Sequence, residues 1–134
     1  MDEKLDKKLC SDYPMLYRQR NLPMTETCLC WGFPGTGWYD LINELSQQLT
    51  AYATEHKITI EAAQVKEKFG RLCYYIDEVP KRHYDQVYSL IGVAEDKSAA
   101  VCELCGKMGE IAVNVAWIRC ICPTCRKTNP WRRD

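Results

Sequence analysis

CELCGKMGEIAVNVAWIRCICPTC, residues 102–125, is the stretch on which the reading of the whole chain turns. It holds two Cys-x-x-Cys pairs, Cys102/Cys105 and Cys122/Cys125, with sixteen residues between them. Each pair occupies a short turn that aims two sulfurs at one point, and two such turns supply the four thiolates of a tetrahedral zinc site. Gly106 follows the first pair and Pro123 lies inside the second, as suits the tight knuckles of a zinc ribbon. One Cys-x-x-Cys alone would equally fit a redox pair, a disulfide or buried thiols. Two pairs at this spacing favour a single zinc ion. Cys120 offers a third thiol for the two places of the second knuckle; the two-residue spacing selects Cys122 and leaves Cys120 as the reserve ligand. Four thiolates close the coordination sphere, so the expected ion holds structure and performs no catalysis.

Around that centre, 134 residues suffice for one core, and 46% hydrophobic with 27% charged residues is an ordinary globular composition. The 18 basic and 18 acidic residues cancel, which excludes a protein that coats nucleic acid with its whole surface. From Trp117 onward, however, Arg119, Arg126, Lys127, Arg132 and Arg133 face one acid, a local +4 that leaves −4 in the preceding residues. A basic end on an acidic body points to an anionic partner. The first ten residues, MDEKLDKKLC, hold no signal-like apolar run, and no stretch is long enough to cross a membrane. Nine cysteines, an odd number, with ribbon spacing fit a reducing cytoplasm better than a secreted disulfide framework.

Taken in order, Leu5 and Leu9 among alternating charges predict a short, mostly exposed helix over residues 2–10. Pro14 and Pro23 bracket a segment too short for a long helix, in which Met15, Leu16, Tyr17 and Leu22 are expected to cross the core. TCLCWGFPGTGWYD follows, with Trp31, Phe33 and Trp38 around three glycines. Its Gly35-Thr36-Gly37 is read as a turn with Thr36 capping the next helix, ahead of an anion site. That helix is marked by Trp38, Leu41, Ile42, Leu45, Leu49, Tyr52 and Ala53 at three- and four-residue steps. Alternation then predicts a β-hairpin, Val65–Phe69 and Leu72–Ile76, with a bulge at Gly70. The charged run Lys66, Glu67, Lys68 is read as its solvated edge, ahead of phosphate contacts by Lys66, Lys68 and Arg71 beside Tyr75. Pro80 opens a second amphipathic helix with Tyr84, Val87, Tyr88, Ile91 and Ala94 as its apolar stripe. His56 and His83 fall among charged residues, where a solvated ring is expected, and no nucleophile and base can be paired from spacing. The fold class is therefore α+β: two amphipathic helices packed on a β-hairpin with a C-terminal zinc ribbon. The expected division is a core over 1–99, the docked ribbon over 100–126 and a mobile basic tail over 127–134.

Tyr13-Pro14, LPMTETCLCWG at 22–32, Gly-Thr-Gly-Trp-Tyr-Asp-Leu-Ile at 35–42, Val-Lys-Glu-Lys-Phe-Gly at 65–70 and CELCGK at 102–107 occur in that order before the last knuckle. Together, over roughly residues 13–125, they resemble a family of small proteins encoded by bacteriophages and prophages, with a C-terminal cysteine zinc ribbon. The resemblance implies a phage or prophage setting and no particular reaction. That family usually carries aspartate between the two glycines where this chain has Thr36, an exchange that preserves capping but not metal binding or general-base chemistry.

Three functional classes follow. The first is a non-enzymatic phage accessory protein that binds a bacterial host protein, for example to block a defence system, with exposed aromatics at Trp31, Phe33 and Trp131. The second is a nucleic-acid-binding ribbon that sets Arg119, Arg126, Lys127, Arg132 and Arg133 on phosphates and stacks Trp131 on a base. The third is an enzyme with its site in the Gly32–Trp38 loop. The first is preferred, and the sequence sets no oligomeric state.

Overall fold

A computed structural model of the chain describes residues 1–112 and 118–128. It has the α+β architecture expected: α1 (Glu3–Asp12), α2 (Tyr39–His56), hairpin β1 (Ala62–Lys68) and β2 (Arg71–Ile76), α3 (Tyr84–Ser98), then β3 (Glu110–Ala112), β4 (Arg119–Ile121) and α4 (Pro123–Thr128). Among the described residues the strands pair as two antiparallel two-stranded sheets, β1-β2 and β3-β4. The main core joins α2, α3 and the inner face of the hairpin through Trp38, Ile42, Leu45, Leu49, Leu72, Val87 and Ile91. Every position of the apolar stripe predicted for α2 from Trp38 to Leu49 is buried. On α3, Val87, Ile91 and Ala94 are buried, but Tyr84 is exposed and lies against Tyr88 with ring centroids 4.5 Å apart. The start of α3 is one turn later than Pro80 alone indicates, because Lys81–His83 form a 3-10 turn first.

The segment between the prolines folds as short turns, and Leu16 and Tyr17 cross the core as expected. Met15 stays 66% exposed, since Tyr17 and Leu16 already fill the inward positions. Tyr17 belongs to a buried hydroxyl chain. Tyr74 Oη donates to Tyr17 Oη at 2.9 Å, Tyr17 Oη and Ser46 Oγ lie 2.6 Å apart, and Ser46 Oγ donates to the Ile42 carbonyl at 2.7 Å. Three polar groups thus enter the core with their hydrogen-bonding needs met, which is the condition for burying them.

The hairpin turns tightly at Phe69-Gly70, both with positive φ (52° and 83°), the backbone that a two-residue hairpin loop requires. The bulge lies between Ala62 and Gln64, not at Gly70. Gly70 serves instead to bring the turn against the ribbon: a Cβ there would stand 3.2 Å from the Cys120 nitrogen and from Ile111 Cγ1. Thr36 does not cap α2, which starts beyond a 3-10 turn and has no side-chain cap. Its Oγ1 accepts the backbone N–H of Asp2 at 2.8 Å, so it fastens the start of α1 to the loop. His83 is buried and not solvated, as described below. Among the described residues no helix is long and apolar enough to cross a membrane.

Candidate metal centre

The C-terminal unit begins where α3 ends. Cys102 N–H donates to the Lys107 carbonyl at 2.7 Å and Gly106 N–H to the Cys102 carbonyl at 2.9 Å, closing the first knuckle on itself. Gly106 takes φ of +81°, the left-handed turn that lets Cys105 swing back toward Cys102. Strand β4 then delivers Cys122, and the second knuckle opens α4, with Arg126 N–H donating to the Cys122 carbonyl at 2.9 Å. The sulfurs of Cys102, Cys105, Cys122 and Cys125 all lie within 4.8 Å of one another, and Cys105 Sγ is 3.6 Å from Cys122 Sγ. A tetrahedron with metal–sulfur bonds of about 2.3 Å has edges of about 3.8 Å. The quartet therefore has the size needed to hold one metal ion, and 3.6 Å is far beyond the disulfide bond length of about 2.05 Å.

Cys120 is kept out of this quartet because the strand ends at Ile121; continued alternation would have set residues 120 and 122 on one face. Its neighbour two residues on, Cys122, is at the end of the strand where the chain turns into α4, while Cys120 itself points into the main core. Its Sγ donates to the Ala99 carbonyl at 3.2 Å, and burial pushes its thiol up to about 11, so it remains a neutral core group. The quartet behaves differently. The Cys122 thiol is pulled down to about 7, foremost by the backbone N–H of Cys125, whose nitrogen is 3.4 Å from the sulfur, and also by the neighbouring thiols. Cys125 is pushed up to about 12 by burial and by those same thiols. One thiolate is thus favoured by the fold without metal, while the Cys125 and Cys105 thiols are pushed up.

The knuckle is bound to the core by Glu103, a residue within the Cys-Glu-Leu-Cys turn. Its side chain is nearly fully buried, with 4% of the residue exposed. The carboxylate accepts Gly35 N–H at 2.9 Å and the Arg119 guanidinium at 3.1 Å, and its carbonyl accepts Gly37 N–H at 2.7 Å. The glycine loop before α2 does hold an anion, but the anion is the chain's own Glu103. Gly37 is needed for this contact, because a Cβ there would stand 2.1 Å from the Cys102 carbonyl oxygen and 2.5 Å from the Gly106 nitrogen. Trp38 completes the joint by donating Nε1–H to the Val101 carbonyl at 2.8 Å. Glu103 gives no functional signal in the sequence, which singles out the Gly32–Trp38 loop only as a turn, an anion site or an enzyme site. A glutamate inside a knuckle and a Gly-x-Gly loop become meaningful only once they are opposite each other.

Of the proposed anion contacts, Arg119 is committed to Glu103, while Arg126 and Lys127 lie on α4. Lys127 and Thr128, expected to start the tail, are the last turn of that helix. Trp131, Arg132 and Arg133 fall outside the described residues, as do Val113, Val115 and Trp117 between β3 and β4. Trp31 is 73% exposed, whereas Phe33 is buried edge-on against Tyr17 at 5.0 Å. His83 sits against Tyr52 and His56: Nδ1 is 2.7 Å from Tyr52 Oη, and Arg82 Nε donates to Nε2 at 3.1 Å. Tyr52 Oη in turn donates to Gln86 Oε1 at 2.9 Å, so the consistent tautomer is neutral with its proton on Nδ1. Burial, the Arg82 charge and His56 hold the His83 ring below its usual range.

Comparison with protein-family models, with curated protein sequences and with solved structures finds no match to this chain.

Proposed function

We propose that the four thiolates hold one structural zinc ion and that the chain is a non-enzymatic binding protein. Its setting is the phage or prophage one its sequence resembles, and its partner a bacterial host protein. The observation that carries the metal part is the quartet of sulfurs within 4.8 Å of one another, an all-thiolate donor set that suits zinc and leaves no open coordination position. Zinc bound this way releases roughly 10 kcal/mol or more, comparable with the whole stability of a domain. The ion then clamps the first knuckle in the form that presents Glu103 to Gly35 and Gly37. The surface supports the binding part. Trp31, Phe69 and Met108 are 73%, 68% and 86% exposed, large apolar groups of the kind that serve as contact anchors.

The test is an affinity capture from bacterial lysate with the tagged chain, with and without nuclease, read by mass spectrometry. One host protein retained after nuclease supports the reading. Loss of all captured protein with nuclease moves the function to nucleic acid, contacted through Arg126, Lys127 and the residues beyond them.

A further inference from the structure

We infer that the outer edge of β1 beside Trp31 is a docking groove for an extended peptide segment, which adds as a strand and carries an acidic residue at its centre. The inference deepens the protein-binding reading above and rests on it, naming where and in what conformation the partner is held.

The hairpin has two edges, and they are treated differently. On β2, Leu72 N–H donates to Ser98 Oγ at 2.8 Å and Tyr74 N–H to Glu95 Oε2 at 3.0 Å, so α3 covers that edge. The cross-strand partners of these two residues are Glu67 and Val65. In an antiparallel pair, residues opposite one another direct their backbone groups the same way, both toward or both away from the partner strand. Val65 and Glu67 therefore turn N–H and C=O away from β2, along the outer edge of β1. The beginning of that edge is closed, by Ala62 N–H donating to the Leu16 carbonyl at 2.8 Å and by Thr27 Oγ1 donating to the Ala63 carbonyl at 3.4 Å. At Val65 and Glu67 no group among the described residues bonds to these outward N–H and C=O groups. Exposed strand edges are normally blocked, and one left open over a short, recessed length is a template for strand addition.

The open edge borders a cavity of about 210 Å³ whose other lining residues are Cys28, Trp31, Gly32, Phe33, Pro34 and Glu103, the last with its carboxylate already paired to Gly35 N–H and Arg119. The wall is fixed in place, because the turn continues into Gly35, held by Glu103 from the metal knuckle. Three consecutive residues of an added strand satisfy all four backbone groups, since Val65 and Glu67 pair with residues two apart. The side chain between them falls on the face of Lys66, by the alternation of strands. That face is basic. Lys66 and Lys68 form no ion pair among the described residues and lie 5.9 Å from the Tyr75 and Phe69 rings respectively. An acidic central residue supplies the missing counter-charge, and Trp31 offers an exposed indole to a flanking side chain. A second copy of this chain is a poorer occupant, because its own β1 edge is recessed behind the same wall.

The test uses the full metal-loaded chain and a ribosome-displayed library of random dodecapeptides. Enriched peptides are synthesised with a fluorophore and titrated against wild type, Trp31→Ala and Glu67→Pro, while amide hydrogen exchange is followed at Val65 and Glu67. Proline at 67 removes an outward N–H and no ladder bond, but with the glutamate side chain it also removes the acceptor of Gly70 N–H at 2.8 Å. Glu67→Gln keeps that acceptor and the outward N–H, so it is titrated beside the proline variant and should bind as wild type. The expected result is a central acid in the enriched set, slowed exchange at both amides and affinity at least about ten-fold weaker in Trp31→Ala and in Glu67→Pro. If Glu67→Pro does not fold, Trp31→Ala and the exchange data decide. No enriched peptide, or peptides that bind Trp31→Ala and Glu67→Pro as well as wild type without slowing those amides, overturns the inference. So does a concentration-dependent dimer that Glu67→Pro abolishes, which assigns the edge to self-association. A host protein captured equally by wild type and Trp31→Ala overturns the groove and leaves the binding reading standing; failure of wild type to capture any host protein overturns that reading, while the peptide selection still reports on the groove.

Discussion

Replacing Gly37 with alanine tests whether the metal knuckle and the core are one folded unit. The added Cβ would lie 2.1 Å from the Cys102 carbonyl oxygen, 2.5 Å from the Gly106 nitrogen and 2.7 Å from the Glu103 carbonyl carbon. All three are backbone atoms, so no side chain can swing aside, and reaching ordinary contact of about 3.5 Å requires a separation of more than about 1 Å. Such a displacement breaks the 2.7 Å bond from Gly37 N–H to the Glu103 carbonyl and lengthens the 2.9 Å bond from Gly35 N–H to the Glu103 carboxylate. A neutral hydrogen bond contributes about 1 kcal/mol and one to a buried charge about 1.5–3 kcal/mol. Loss of the first and weakening of the second, with the strain, costs about 3 kcal/mol, which lowers Tm by about 10 °C for a chain of this size. Thermal unfolding followed by circular dichroism gives the first number. The rate of metal transfer to a chromogenic chelator gives the second, and it should rise because Cys102 and Gly106 are the atoms displaced. Gly92 on α3 is the control: a Cβ there meets nothing within 4 Å, so Gly92→Ala should stabilise by about 0.5–1 kcal/mol. If Gly37→Ala matched wild type in both Tm and metal retention, the docking account of the glycine loop would be refuted.

Two further expectations concern the core. His83 is held below its ordinary pKa of 6.5, so as pH falls through that value the unfolded chain takes up its proton first and stability declines toward acid. His83→Gln should flatten that decline in chemical denaturation measured between about pH 7 and 5, and an unchanged slope would remove His83 as its source. Tyr17 is the middle member of the buried hydroxyl chain. Tyr17→Phe leaves Tyr74 Oη without an acceptor and should cost about 2–3 kcal/mol, against about 1 kcal/mol for Tyr74→Phe, which removes one donor at the end; equal costs in urea unfolding would mean that the chain does not act as one network.

What the sequence made legible were the features set by periodicity and local spacing. The stripe from Trp38 to Leu49, the alternation across Phe69-Gly70 and the two cysteine pairs each encode their structure within a few residues. The sequence could not show contacts made across long separations. Thr36 resembles a helix cap, yet its hydroxyl accepts the N–H of Asp2, which is 34 positions away. Glu103 reads as a charged loop residue, and its burial depends on Gly35 being 68 positions distant. His83 reads as solvated because its neighbours in sequence are charged, while the groups that bury it, Tyr52 and His56, come from α2. The choice between Cys120 and Cys122 lay between these extremes. Spacing favoured Cys122, and the position of Cys120 on β4, facing Ala99, gives the physical reason.

The central claim is that Cys102, Cys105, Cys122 and Cys125 together hold one metal ion, with Cys120 apart from them. Zinc K-edge X-ray absorption on the purified chain, with Cys120→Ser and Cys122→Ser measured alongside, tests it most directly. The account predicts one zinc per chain with four sulfurs at about 2.3 Å in wild type and in Cys120→Ser, and loss of that shell in Cys122→Ser. A metal-free wild type, or a four-sulfur shell that survives Cys122→Ser but not Cys120→Ser, would contradict it.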